Sequence, residues 1–490
     1  MSALAAALSR RAFSRVDGAS GQLCLAAGLI ALLLAGAFVL PLPPWLGTPT
    51  PRPPVGQPPA PGLGLAGALV ALAFALALWL PFRPYTLALR AARAGFHGSG
   101  LLPGLTALVA LAALAIYPRF GTDLWEYVAY ERLWRVYGEN PLLATPSLHP
   151  EDWSFAFAWY PNRPNAYGPL WQLMAWPLNA AGGDSAAGQL IAHKLLAALG
   201  YTACAALLWR GVPRHARAQA LIAFAWNPLV LFEVLGKVHN DILPAALLVA
   251  AVLLAGRGAP ANGLVAATLA ALVKASAAGG GLGLLKKLWL EQAWGSLAVG
   301  LAASGTLVVA LYAPFWAGPR LLEPLRSQMT QVVWSPGALL MLLCQALSGD
   351  RHETAIRLAL IVTWLLAAGL LLWRLPARST EELAALAALL LLATLVLLTT
   401  AFYAHYLVPV VALAALSGRP GLQAAVTLLA LGSLGAYAGA MLGLAFGSGW
   451  ADSDAYRLLG SLLSFAPALV LVLWQRGAPW LDRTRRARWR

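Results

Sequence analysis

The stretch Trp226-Asn227-Pro228-Leu229-Val230-Leu231-Phe232-Glu233-Val234-Leu235-Gly236-Lys237-Val238-His239-Asn240-Asp241 decides how this chain is read. It closes an apolar run that begins near 218 and opens a second at about 241–255. Glu233 sits inside the first run, and Lys237, His239, Asn240 and Asp241 gather at its end. An ionisable side chain within a membrane segment is costly, and where it is kept it marks a functional site. The competing reading is a capped hairpin, with Asn240 or Asp241 capping the next helix.

Apolar runs with polar edges fill the whole chain. Of 490 residues, 60% are hydrophobic and 11% charged, against roughly 25% charged in a soluble domain. So few charges cannot cover a soluble surface, and apolar runs of about 18 or more residues recur along the length. The chain therefore reads as an all-α polytopic membrane protein. Disulfide scaffolds, disordered chains, coiled coils and cytosolic enzymes are excluded. Cys24, Cys204 and Cys344 lie in apolar runs without CxxC spacing and read as inert thiols. The balance of 34 basic and 19 acidic residues gives a net charge of +15. The basic residues cluster between apolar runs, so the charge reports topology and not nucleic-acid binding.

Spans are expected at about 22–40, 63–81, 101–117, 186–208, 218–236, 241–255, 293–313, 354–374, 383–400, 403–416, 421–446 and 459–474. A short hairpin at 260–288, broken by Gly279, Gly280 and Gly281, brings the total to about 14 crossings. Ser9-Arg10-Arg11-Ala12-Phe13 has the look of a twin-arginine signal, but so many spans follow that the first run reads as an anchored helix. The arginines of 10–15, 83–93, 210–217, 374–378 and 483–490 then fall inside, with Lys286 and Lys287. The proline-rich Pro41 to Pro61 stretch, the mixed-charge segment 118–166 and the segment 314–353 fall outside. The pieces at 167–182 and 336–348 read as interfacial helices on that outer side, the second interfacial or re-entrant.

Four polar groups meet on the outer face. A helix starting at Thr122 places Asp123, Tyr127, Tyr130 and Trp134 on one side. Asp123 is then either a general base at the head of an aromatic stripe or a helix-start acid in an interfacial belt. The segment from Glu139-Asn140-Pro141 to Tyr167-Gly168-Pro169, which holds Arg163, is stiff and amphipathic, suited to stacking on sugars; an ordinary capped loop is the alternative. The third group is the 226–241 stretch. The fourth is Lys274 in its apolar hairpin with Thr399, Thr400, Tyr403, His405 and Tyr406 at another span end. A buried lysine there would hold a departing phosphate, or would snorkel to the interface. G-x-x-x-x-G-K-[ST], H-E-x-x-H and G-x-S-x-G motifs are absent, and the histidines lie too far apart in sequence to suggest a zinc site.

Taken together, Asp123 with Tyr127, Asn140-Pro141, Tyr167-Gly168-Pro169, Trp226-Asn227-Pro228 with His239-Asn240-Asp241, Lys274 and Tyr403-x-x-Tyr406-x-x-Pro409 resemble the GT-C superfamily of integral-membrane glycosyltransferases. The closest patterns are the polyprenyl-phosphate-mannose-dependent α-mannosyltransferases and GT87-type enzymes, over roughly residues 100–420. The resemblance implies a GT-C-like core at 101–420, an N-terminal two-span extension at 1–100 and C-terminal spans with a basic tail at 421–490. It implies a sugar donor on a polyprenyl phosphate, a glycan, glycolipid or lipid acceptor, and transfer with inversion in a cell membrane. Asp123 would be the base. The family's acidic pair is reduced here to Asp123 and Glu126, which leaves either as the catalytic carboxylate. Tyr127, Asn140, Arg163, Tyr167, Glu233, Lys237, His239, Asn240, Asp241, Lys274, Tyr403, His405 and Tyr406 would contact substrate. No organic cofactor is implied, and a divalent metal is left open. The competing class is a transporter or flippase of a lipid-linked saccharide, against which stands the gathering of polar groups on one face instead of at the midplane.

Overall fold

The computed structural model describes residues 2–38, 62–94, 100–118, 123–447 and 453–477. The Pro41 to Pro61 stretch, the helix start at Thr122 and the basic run Arg483 to Arg490 lie outside the described residues. The regular structure of the described residues is helical, with one isolated bridge between Val333 and Ala401 and a long, mostly non-helical connection between Arg135 and Pro169.

Seven described helices are long and apolar enough to cross a membrane: Gly18–Ala37, Leu65–Arg93, Ala186–Gly211, Trp294–Phe315, Glu353–Arg374, Thr380–Leu398 and Pro420–Met441. A bent pair, Arg214–Ala225 with Pro228–Gly236, makes an eighth. The shorter apolar helices Leu101–Leu114, Ile242–Gly256, Pro260–Val273 and Ala404–Ser417 occupy further expected positions. This is a multi-pass, all-α membrane protein. The outward faces agree: Val309, Leu366 and Trp373 are about 70% exposed, which only a lipid solvent tolerates on this scale. Inside, one apolar cluster runs from Leu23 to Ala468, so early, middle and late helices share a core.

Several expectations change in detail. The run 218–236 is not one helix. Pro228 has no N–H to give and disfavours a helical Asn227, so the helix stops at Ala225 and restarts with the Asn227 side chain accepting from Leu229 N at 3.0 Å. The two halves meet at 48°. The hairpin break falls on Lys274 and not on the glycines. Pro260–Val273 ends there in an extended residue, and Ala278–Leu290 begins four residues later. Gly279 to Gly281 lie inside that second helix, where a Cβ on Gly279 would come 2.1 Å from Thr394 Oγ1. They serve close helix packing. The basic segment after the second span is also helical: Phe82–Arg93 buries Phe82, Tyr85 and Leu89 and exposes Arg83, Arg90 and Arg93. Finally, no side chain caps Ile242–Gly256.

Candidate active site

The helix Asp123–Arg135 carries acids in its first turn and arginines in its last, which suits the helix dipole. Its polar side is tied down. Arg132 Nε donates to both oxygens of Asp152 at 2.9 Å, and Arg132 and Arg135 both reach Asp184. Glu131 meets His193 at 3.1 Å and accepts from Asn179 at 3.1 Å, all buried. These bonds join the helix to Pro169–Gly182 and Ala186–Gly211 and fix where Asp123 points.

Asp123 Oδ2 accepts from the Tyr167 hydroxyl at 3.0 Å and faces two imidazoles, His239 Nε2 at 3.6 Å and His405 Nε2 at 3.9 Å. Burial would raise the Asp123 carboxyl, but His239, His405 and Lys274 outweigh it and hold the group below the usual carboxylate range. The two imidazoles stack with centroids 3.9 Å apart and planes 15° off parallel. Behind them lies Glu233, with Oε2 2.7 Å from His239 Nδ1 and 3.6 Å from Lys237 Nζ. Lys274 donates to both oxygens of Asp241 at 2.9 Å and lies over the Tyr406 ring at 4.2 Å. Asp123, His239 and His405 can each offer a ligand atom, all within 4.8 Å of one another, so these residues could hold a metal ion.

Local backbone features place these groups. Glu233 lies in a single π-helical stretch, Leu231–Gly236, and a second one, Thr394–Leu398, leads to Tyr403 and His405. Such insertions favour functional positions because they re-aim side chains. Val238 has φ of 68°, a conformation a β-branched residue rarely adopts. On either side of that strained turn, Lys237 and His239 both face Glu233 Oε2. Lys194 donates to the carbonyls of Ile116, Leu235 and Gly236 at 2.7, 2.5 and 2.9 Å and closes the end of the first π stretch. A Cβ on Gly168 would lie 2.1 Å from the Leu272 carbonyl, while Gly168 N donates to Val273 O at 2.9 Å. The Tyr167 loop is thereby pressed onto the Lys274 break.

Most residues expected at the site do converge. Asp123, Tyr127, Tyr167, Glu233, Lys237, His239, Asn240, Asp241, Lys274, Tyr403, His405 and Tyr406 form one network. Tyr127 packs between Tyr167 and Trp171 and receives the Asn240 backbone N–H at 3.2 Å. The Asn240 carboxamide itself has no hydrogen-bond partner among the described residues. Tyr403 stacks beside His405. Three candidates sit apart. Glu126 accepts from the backbone N–H groups of Trp159 and Tyr160 and so holds the outer loop. Asn140 donates to Phe315 O at 2.9 Å. Arg163 lies over the Tyr160 ring. A cavity of about 700 Å³ at Gln345 and Gly349–Ala355 shares no residue with the network. Tyr437, whose ring lies 3.8 Å from Lys237 Nζ, was not singled out from sequence. Its signal is a lone tyrosine between small residues, Gly435-Ala436-Tyr437-Ala438-Gly439.

The all-α membrane body gathers a carboxylate, two imidazoles and lysines at its helix breaks. The chain belongs to the MptA_B family, whose model, described as the N-terminal domain of alpha-(1->6)-mannopyranosyltransferase, matches residues 15–291. Alpha-(1->6)-mannopyranosyltransferase A of Mycobacterium tuberculosis (strain ATCC 25618 / H37Rv) is 30% identical over 202 residues. That alignment covers 38% of this chain and 37% of the relative's length. No solved structure matches. The family match holds Asp123, Glu233, His239, Asp241 and Lys274, while Tyr403, His405, Tyr406 and Tyr437 come from beyond it.

Proposed function

We propose that this chain transfers a sugar, mannose or another hexose, from a polyprenyl-phosphate donor to an extracytoplasmic glycan, glycolipid or lipid acceptor. The observation that carries this reading is the Asp123 carboxylate, set where Tyr167, the stacked His239 and His405, and the Lys274–Asp241 pair meet. Family membership supports glycosyl transfer.

In the proposed reaction the acceptor oxygen attacks the anomeric carbon from the face opposite the phosphate, so the configuration inverts. Asp123 Oδ2 is engaged by Tyr167. Its Oδ1 has no hydrogen-bond partner among the described residues and is the oxygen that orients the acceptor hydroxyl. It takes the proton as the new bond forms. The bond between the anomeric carbon and the phosphate oxygen breaks, and the leaving phosphate gains charge. Lys274, which keeps one ammonium proton beyond its two bonds to Asp241, and Lys237 are the cations placed to stabilise that charge. The unpartnered Asn240 carboxamide suits a sugar hydroxyl. The basic flanks favour an active site on the extracytoplasmic side of a cell membrane.

The test is purified protein in lipid vesicles with radiolabelled polyprenyl-phosphate mannose and a mannan or glycolipid acceptor. Labelled acceptor is the expected product. Movement of the labelled lipid between leaflets without transfer would favour the flippase reading and overturn this one.

A further inference from the structure

We infer that Asp123, His239 and His405 form a binding site for one divalent transition-metal ion, held by a carboxylate oxygen and two imidazole nitrogens. The site's existence stands on its geometry alone; its part in transfer rests on the function proposed above.

The ligand atoms are already close. A first-row ion lies about 2.1 Å from such nitrogen and oxygen ligands, which sets neighbouring ligands of a tetrahedral site about 3.4 Å apart. Asp123 Oδ2 lies 3.6 Å from His239 Nε2 and 3.9 Å from His405 Nε2. Those separations are too long for hydrogen bonds; a metal would close them by about half an ångström or less, and the two rings, now stacked 3.9 Å apart and 15° off parallel, would turn so that both nitrogen lone pairs aim at it.

The unpaired groups point the same way. His405 is 4% exposed, and neither ring nitrogen has a hydrogen bond among the described residues. A buried imidazole left without a partner costs free energy; a ligand at Nε2 would partner that nitrogen, while Nδ1 faces Glu233 Oε2 at 3.9 Å. His239 is held from behind: Nδ1 is 2.7 Å from Glu233 Oε2 and 3.2 Å from Glu233 O. A carboxylate behind the far nitrogen is the usual support of a metal-bound histidine, because it fixes the ring and the tautomer.

Charge is also in order. Glu233 and Asp241 each have a lysine, Lys237 and Lys274, so their charges are met. Asp123 has no lysine or arginine within 4.0 Å among the described residues. Two histidines, one carboxylate and an open position suit zinc, manganese or iron better than magnesium or calcium, which prefer all-oxygen sites. The open position would accept a phosphate oxygen of the donor, and the ion would act there as a Lewis acid.

The test uses full-length protein in detergent, stripped with a chelator and titrated with Co²⁺ as a coloured stand-in for Zn²⁺. The expected result is one Co²⁺ per chain with a visible ligand-field band. His405→Gln keeps the size of the side chain and should weaken binding at least tenfold. Glu233→Gln should weaken it by about tenfold through loss of the support behind His239. His352→Gln, at an exposed histidine outside the cluster, should bind as the unaltered chain does. Thermal melting of each protein separates lost binding from lost folding. Less than a tenth of an ion per chain, or equal binding by a folded His405→Gln, overturns the site. Transfer that proceeds at full rate in the stripped protein removes the ion's role and leaves the proposed function standing. Stoichiometric Co²⁺ without any transfer keeps the site and removes the function.

Discussion

Lys274 and Asp241 close on each other at the break between two short helices, the ammonium donating to both carboxylate oxygens at 2.9 Å. The sequence alone sets an expensive lysine in an apolar segment and asks for an anion. The structure supplies one from within the chain, and a substrate phosphate would be a second.

Breaking this pair from one side should cost more than removing it whole. Lys274→Gln leaves Asp241 buried without its cation and should destabilise the protein by about 3 kcal/mol or more. The double variant Lys274→Gln with Asp241→Asn should recover at least about 1 kcal/mol of that loss. Thermal melting of the three proteins in detergent measures the coupling. Strict additivity would show that the two groups do not support each other. Under the proposed function, Lys274→Gln should also raise the apparent KM for the lipid-linked donor more than for the acceptor. Lys274→Arg should rescue only in part.

Asp123→Asn preserves the shape and removes the charge. Transfer should fall by about two orders of magnitude or more while melting and elution profiles stay as before. Transfer close to that of the unaltered protein would mean that another group handles the acceptor proton.

Gly168 has no room for a side chain. Gly168→Ala should push the Tyr167 loop off the Leu272 carbonyl and cost about 1–3 kcal/mol. Turnover should drop with it, since Tyr167 and Lys274 move apart. A Gly168→Ala variant with unchanged melting and turnover would show that the loop has slack which the contact denies.

Asp152 supplies a pH dependence away from the membrane. Burial would raise its carboxyl, but Arg132 and Ser154 hold it down to about 2. A depressed folded value means stability that is fully present above the ordinary carboxylate range and is lost as pH falls from about 4 toward 2. The contribution is about 2 kcal/mol. Melting temperature should therefore decline over that window, and Asp152→Asn should start lower at neutral pH and flatten the decline.

The fold was legible because lipid leaves a blunt signature: apolar runs had to be helices, and their ends had to carry the polar groups. Single residues were legible for the same reason. Asp123, Glu233, His239, Lys274 and His405 stand out against an apolar background. Pairings were not legible. Nothing in the order of the chain says that Lys274 meets Asp241, or that the rings of His239 and His405 stack, because helix packing between distant segments decides both. The strained turn at Val238 left no trace either, since valine is the wrong residue to announce a positive φ. Gly279 to Gly281 misled in the opposite direction. They looked like a break, and a close helix contact had selected them.

The network draws on residues from Asp123 to Tyr437, and its members lie on segments that enter the membrane at different times during synthesis. When the first half of the chain has emerged, Asp123, Glu233 and His239 can already meet, but the ring that faces them from position 405 is still to come. A nascent chain therefore carries an incomplete, charged cleft, and the last helices both seal the core and finish the site. Under the proposed function, chemistry on the sugar would wait for the last helices, and a chain arrested in the membrane would hold Asp123 without the ring that faces it.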